Sequence, residues 1–229
     1  MKRVAVVTGG TKGIGLAVAR KLAATDCQVL VNYAHDDEAA ARVQSELDCE
    51  LIKADVFATG GARSVLSQAF ELTGRLDVFV HNAAKWSKSP AADVSASLTP
   101  LLDVLDVLPT LMPDGGRVVA VSSNGANRVV PGYLSLGVAK AALESLVRYA
   151  AVQLAGKGIV VNAVSTGKVD KGPDTVNPEP MRILAARTPA GRLTVPADVA
   201  DAVWLLCADE AAWIHGQVLT ADGGLGLLA

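Results

Sequence analysis

The run Thr8-Gly9-Gly10-Thr11-Lys12-Gly13-Ile14-Gly15 is suited to close backbone approach. Its Gly-x-x-x-Gly-x-Gly spacing removes the Cβ atoms that would hold a ligand off, and a helix starting behind it would turn free N–H groups and a positive dipole end toward that ligand. Pyrophosphate binding is the chemistry such a turn serves, although a tight turn without any ligand uses the same residues. A second set lies far along the chain. Tyr133 and Lys140 are seven residues apart, close to two helical turns, so one helix face would carry both the phenol and the ammonium. Upstream, Ser122 and Ser123 follow an apolar run, where a hydroxyl orients a substrate or caps the exit from a strand.

These residues need a frame, and the apolar pattern supplies one. Short β-rich runs at 3–7, 28–32, 51–54, 76–80, 117–121, 159–164 and 217–219 alternate with helical patterns at 13–24, 36–47, 62–72 and 132–154. That rhythm predicts βαβ units. The runs VAVV, LDVFV, RVVAV and IVVNAV are almost continuously apolar, as strands covered on both faces are. The expected fold is a doubly wound α/β domain of Rossmann type over residues 1–229, with seven parallel strands and ligands at their carboxyl edge. Between Val169 and Pro196 the pattern gives way to a stretch punctuated by proline and glycine, read as a substrate lid over 168–195 with one short helix at 179–187.

Composition excludes several classes. A net charge of -2 and a pI near 5.9 leave no positive excess for a phosphate backbone, so nucleic acid is not an expected partner. Cys27, Cys49 and Cys207 are dispersed and odd in number, which argues against a disulfide framework or a metal site and for buried thiols. No apolar stretch approaches the ~20 residues of a membrane-spanning helix, and the basic start at Met1-Lys2-Arg3 leads into a strand rather than a signal peptide. A soluble, cytoplasmic protein with no membrane partner is expected.

The glycine turn matches Thr-Gly-x-x-x-Gly-x-Gly, the pattern of the short-chain dehydrogenase/reductase family. The resemblance extends along nearly the whole chain: Asp55-Val56 after the third strand, Asn82-Ala83-Ala84 after the fourth, Asn162-Ala163-Val164 in the sixth and Asp222-Gly223-Gly224 near the end. It implies a nicotinamide cofactor held by Gly9, Thr11, Lys12, Gly13, Ile14 and Gly15. Further cofactor contacts would come from Asp55 and Val56 at the adenine, from Asn82, Ala83 and Ala84, from Lys140, and from Gly167 and Val169 beyond the sixth strand. An acid ending the second strand would bind the ribose hydroxyls of NAD and repel the extra phosphate of NADP. Asn32 stands there instead, with Lys12 and His35 beside the expected ribose. NADPH is therefore expected, with NADH as the alternative. Asp36 and Asp37 are read as a solvated helix start.

The family's usual active site places tyrosine four residues before lysine. Here that position is Leu136, and the tyrosine is Tyr133. Tyr-x6-Lys resembles the enoyl-acyl carrier protein reductases, as do Val130-Pro131-Gly132-Tyr133, Gly137-Val138-Ala139-Lys140 and Thr188-Pro189-Ala190-Gly191-Arg192. Moving the phenol by three residues displaces it ~4.5 Å along a helix. Conjugate reduction of an enoyl thioester puts hydride on the β carbon and charge on an oxygen three bonds away, a geometry that suits a donor set further out. The resemblance implies that Tyr133 stabilises the enolate, Lys140 holds the nicotinamide ribose, and Ser122 and Ser123 complete the catalytic set.

Some features depart from the family. The segment between Asn82 and Ser122 is short, and the helix that normally carries an active-site asparagine cannot be located; 98–112, interrupted by Pro100 and Pro109, takes its place. Ser165-Thr166-Gly167-Lys168-Val169 replaces the common Pro-Gly turn, and Lys171 is either a phosphate contact or a solvated side chain. The leading expectation is reduction of an enoyl thioester, on a small-molecule or carrier-bound acyl substrate, by a homo-oligomer, dimer or tetramer. A carbonyl or imine reductase and a non-catalytic NADP-binding scaffold are the alternatives.

Overall fold

The computed structural model describes residues 2–25, 27–172 and 178–227. Its strands are β1 (Arg3–Thr8), β2 (Cys27–Tyr33), β3 (Glu50–Lys53), β4 (Val78–His81), β5 (Gly116–Val121), β6 (Ile159–Thr166) and β7 (Val218–Ala221). All pair in parallel, in the order β3-β2-β1-β4-β5-β6-β7. The order reverses direction between β1 and β4, which opens a crevice at their carboxyl ends, the place where such sheets take ligands.

Helices α1 (Gly13–Ala23), α2 (Asp37–Leu47), α3 (Gly61–Thr73), α4 (Pro90–Leu102), α5 (Leu108–Leu111), α6 (Leu134–Ala155), α7 (Pro178–Arg187) and α8 (Pro196–Cys207) fill the connections. Two cores result, one on each face of the sheet. On one face Val65, Leu66, Leu101, Leu143 and Val147 pack on Val6, Phe79 and Val161. On the other, Val18, Leu22, Val199 and Val203 pack on Val7, Val29 and Val164. Burial on both faces explains why the strands carry no polar alternation.

Most boundaries move by a residue or two, and some of the differences bear on the site. β4 begins at Val78, and Asp77 before it fixes the strand's start, its carboxylate accepting the backbone N–H of Val4 at 2.7 Å and the Arg75 guanidinium at 2.6 Å. α6 begins at Leu134, since Gly132 has φ +73° and Tyr133, at φ -110° and ψ 14°, is the non-helical cap residue. A full helix, α4, also stands where the short middle segment suggested none, packing along α6. Pro90 at its first turn suits a helix start, and the internal Pro100, which removes a backbone hydrogen bond and crowds the carbonyl four residues back, lies in its last turn. The lid helix runs Pro178–Arg187, while the part of the expected lid at 173–177 lies outside the described residues. Cys27, Cys49 and Cys207 are buried, and none forms a disulfide among the described residues. No helix among the described residues is long and apolar enough to cross a membrane.

Candidate active site

Backbone geometry makes the turn after β1 a cradle. Gly9 and Gly13 have φ +62° and +54°, in the left-handed region that glycine occupies without strain. A Cβ on Gly15 would lie 2.2 Å from the Gly9 carbonyl oxygen and 2.5 Å from Asn82 Nδ2, so no side chain fits there. A Cβ on Gly13 would meet nothing within 4 Å. That open space faces the start of α1, whose first turn has neither a capping side chain nor an acid, leaving its N–H groups for an anion. Asn82 braces the turn from β4: its amide donates to the Thr8 and Gly9 carbonyls at 2.9 and 3.2 Å. The N–H groups of Asn82 and Ala83 donate to the Thr8 hydroxyl at 3.0 and 3.1 Å. Thr11 is buried, Ile14 half-buried, and Lys12 and Ala84 are exposed.

At the ends of β2 and β3 the side chains have settled partners. Asn32 is buried, and its amide donates to the carbonyls of Ile52 and Ala54 at 3.1 and 3.0 Å. Its side chain ties β2 to β3 rather than standing free beside a ribose. Asp36 accepts the Ala39 N–H at 2.9 Å and so caps α2. Asp37 accepts from Lys53 Nζ at 2.7 Å and from the Tyr33 hydroxyl at 3.0 Å; Lys53 first, and then Tyr33, hold its carboxyl below the usual range. His35 is exposed, Val56 is buried, and Asp55 accepts the Phe57 N–H at 2.9 Å.

The second set of residues meets where β5 exits under α6. Lys140 is buried and donates from Nζ to the Val121 carbonyl at 2.7 Å. One turn further along α6, Glu144 accepts the hydroxyl of buried Ser122 at 2.6 Å. Burial brings the Lys140 ammonium down to about 8, with the Glu144 carboxylate pulling the other way. His81, at the end of β4, lies against this group. Its Nε2 is 3.2 Å from the Ser97 carbonyl in α4, which requires the proton on Nε2, and Nδ1 has no hydrogen-bond partner. Burial, and then the Lys140 charge, push His81 down to about 4, so the imidazole is neutral.

Ser123 and Ser122 are used differently from one another. The Ser123 hydroxyl accepts the Gly125 N–H at 3.3 Å and caps the short turn at 124–126, whereas Ser122 belongs to the buried Glu144 pair. Tyr133 packs its ring over Gly125, where a Cβ would come within 2.6 Å of Tyr133 Cδ1. Trp86 lies beside it with ring centroids 6.4 Å apart. Leu136, four residues before Lys140, is buried. Gly167 is half-buried, close to Asn124 and Asp222, and Val169 bridges Thr194 at the root of the lid. A cavity of about 460 Å³ borders Asn124, Arg128, Arg192 and Asp222.

Sequence reasoning passed over His81, Glu144, Ser135 and Trp86. Glu144 was within reach, because it follows Lys140 by one helical turn and so shares its face. His81 acquires its partner Ser97 only when α4 is in place, and Trp86 and Ser135 meet only when the loop after β4 reaches α6.

A family model described as Enoyl-(Acyl carrier protein) reductase matches residues 9–226. The chain is 35% identical to the 1-cyclohexenylcarbonyl-CoA reductase of Streptomyces collinus, covering 100% of this chain and 88% of that protein. It is 32% identical to an acetoacetyl-CoA reductase of Rhizobium meliloti, over 98% of each, and 31% identical to a versicolorin reductase of Emericella nidulans, over 97% and 95%. Among solved structures, a short-chain dehydrogenase/reductase of Serratia marcescens superposes with a TM-score of 0.90 at 28% identity, covering 97% of each chain. With the cradle at the switch point of the sheet, these likenesses establish that the chain belongs to the short-chain dehydrogenase/reductase family, as an oxidoreductase that works with a nicotinamide cofactor.

Proposed function

We propose that this protein is an NADPH-dependent enoyl-thioester reductase. The observation that carries the reading is the pairing of a buried Leu136 with a phenol at Tyr133: the position four residues before Lys140 has no proton to give, and the available hydroxyl stands ahead of the helix. When bound, the reduced nicotinamide supplies a hydride to the β carbon. Tyr133 then donates a hydrogen bond to the thioester oxygen as enolate charge gathers there. Lys140, whose ammonium donates to the Val121 carbonyl, would hold the nicotinamide ribose and add positive potential. Tyr133 or solvent delivers the proton to the α carbon.

The cradle of Gly9, Gly13 and Gly15 with the open amino end of α1 would hold the pyrophosphate. Asp55 and Val56, Asn82 to Ala84, and Gly167 with Val169 would line the rest of the nucleotide. NADPH is favoured over NADH because both nearby acids are engaged, Asp36 as a cap and Asp37 by Lys53, while Lys12 stands exposed at the turn. The segment 168–195 would close over the substrate. Support for C=C reduction also comes from the relative named for 1-cyclohexenylcarbonyl-CoA, whose ring double bond is conjugated to the thioester. A carbonyl reductase is the second reading, favoured by the relatives named for acetoacetyl-CoA and versicolorin.

The test is NADPH oxidation with a trans-2-enoyl thioester and a 3-ketoacyl thioester in parallel. Enoyl turnover is expected, falling about 10²- to 10³-fold in Tyr133→Phe with NADPH affinity retained. Turnover of the ketone alone would transfer the assignment to carbonyl reduction, and NADPH binding without any turnover would favour a scaffold.

A further inference from the structure

The loop at residues 85–89 runs from β4 to α4 along the rim beside Tyr133, and nothing in the mechanism above uses it. It is rigidly built. The carboxylate of fully buried Asp93 accepts both the N–H and the hydroxyl of Ser87 at 2.7 Å, and the Ser89 N–H donates to the Ser87 hydroxyl at 3.2 Å. Burial works to raise the Asp93 pKa, but donors from Ser87, Ser135 and Lys88 outweigh it, so this acid is ionised and its charge is spent within the fold. Trp86 is half-exposed, yet it is fixed by a 3.2 Å hydrogen bond from Nε1 to the Ser135 hydroxyl.

On this platform stand two lysines. Lys88 has φ +64°, a conformation that costs a non-glycine residue of the order of 1 kcal/mol, and its ammonium sits 5.7 Å from the Trp86 ring centroid. Lys85 is exposed on the same loop. Neither makes an ion pair among the described residues, whereas Arg20, Lys21, Lys53, Arg63, Arg75 and Arg192 each lie within 2.7 Å of a carboxylate. The first turn of α4 holds the buried Asp93 carboxylate, which already answers the dipole of that helix, so the charge left facing outward is that of the lysines. Two lysines without an ion pair and a pinned aromatic face therefore share this loop, whose Trp86 ring lies beside Tyr133. An acyl chain has no use for that charge. A phosphate does.

We propose that this loop binds the phosphate of a phosphopantetheine arm, the group that carries the thioester in coenzyme A and in acyl carriers, with Lys85 and Lys88 on the oxygens and Trp86 along the arm. The inference rests on the enoyl-thioester reading and names how that substrate is held. It is tested by kcat/KM for one enoyl group carried on pantetheine, phosphopantetheine, coenzyme A and a carrier protein, using the wild type, the Lys85→Ala/Lys88→Ala double variant and the corresponding Lys→Arg pair. The wild type should prefer phosphorylated arms over pantetheine by about ten-fold or more, mainly through KM. The alanine pair should bring that ratio near one and the arginine pair should restore it. A ratio lost equally with coenzyme A and carrier assigns the loop to the phosphate they share; a loss confined to coenzyme A would assign the lysines to its nucleotide phosphates and overturn the inference. Enoyl turnover that ignores the phosphate, or a ratio unchanged in the alanine pair, overturns this inference alone. Absence of turnover on every enoyl thioester overturns the proposed function with it.

Discussion

Lys140 is the residue whose protonation most directly couples this site to pH. Its ammonium is buried, faces neutral His81 across from β4 and has Glu144 one turn away on its own helix, which places its titration near 8. A step that needs the charged form is fully supported below that pH and fails above it, so kcat/KM should fall on the alkaline side with a midpoint near 8. Glu144→Gln removes the carboxylate that favours the charge, and the alkaline limb should then move to lower pH. Fluorescence titration of NADPH at fixed pH would separate this from a loss of cofactor binding. A limb that stays put in Glu144→Gln would mean that the titration seen is not that of Lys140. At this scale the sequence was informative about residue types and weaker about orientation. Asn32 lies one residue before the end of β2, yet which way its amide turns depends on the carbonyls of Ile52 in β3 and Ala54 just beyond it. Tyr133 and Lys140 were visible as a pair, but the phenol stands outside the helix because Gly132 takes a positive φ, a backbone choice that side-chain spacing does not encode.

Elements were legible wherever a repeating apolar pattern marked them, which is why the strand and helix rhythm translated into the observed sheet. Helix α4 was hidden because PAADVSASLTPLL is rich in small residues and carries prolines at both ends, so its packing against α6 rather than its own propensity defines it. Its link to the sheet is the His81 to Ser97 hydrogen bond, and this makes a prediction about stability. His81 has a folded pKa near 4 against about 6.5 unfolded. Below 6.5 the unfolded chain takes up a proton that the folded chain refuses, so stability is lost as pH falls from 6.5 toward 4, by roughly 3 kcal/mol at the lower end. In denaturant titrations at pH 7 and pH 4.5, His81→Asn should lose less stability between the two than the wild type does. Equal losses would show that the imidazole is not the group responsible. The first turn of α1 offers a sharper case: Gly15→Ala places a methyl group against the Gly9 carbonyl, and NADPH affinity should fall at least about ten-fold, measured by fluorescence on a chain whose far-UV circular dichroism is retained.

For the whole molecule, what the fold leaves uncovered matters as much as what it buries. Along α6, Val138, Tyr149 and Val152 are exposed on one helical face, with Leu102 exposed at the end of the neighbouring α4, on a chain with a net charge of only -2. Across the molecule, β7 is an edge strand with Leu219 and Thr220 turned to solvent. Exposed apolar stripes and open sheet edges are surfaces that a second copy commonly covers. The α4 and α6 surface carries the stronger expectation, because it lies on the helices that hold Lys140 and the Ser97 support of His81. Association there would stiffen the site from outside. Sedimentation at micromolar concentration should give a dimer or tetramer, and Tyr149→Glu with Val152→Glu should shift it toward a smaller species while leaving the circular dichroism intact. If the stripe is the covering face, thermal stability should rise with protein concentration in the wild type and lose that dependence in the double variant. A wild-type chain that sediments as a monomer across this range would instead leave α4 held by its own packing on α6, with the stripe as ordinary surface.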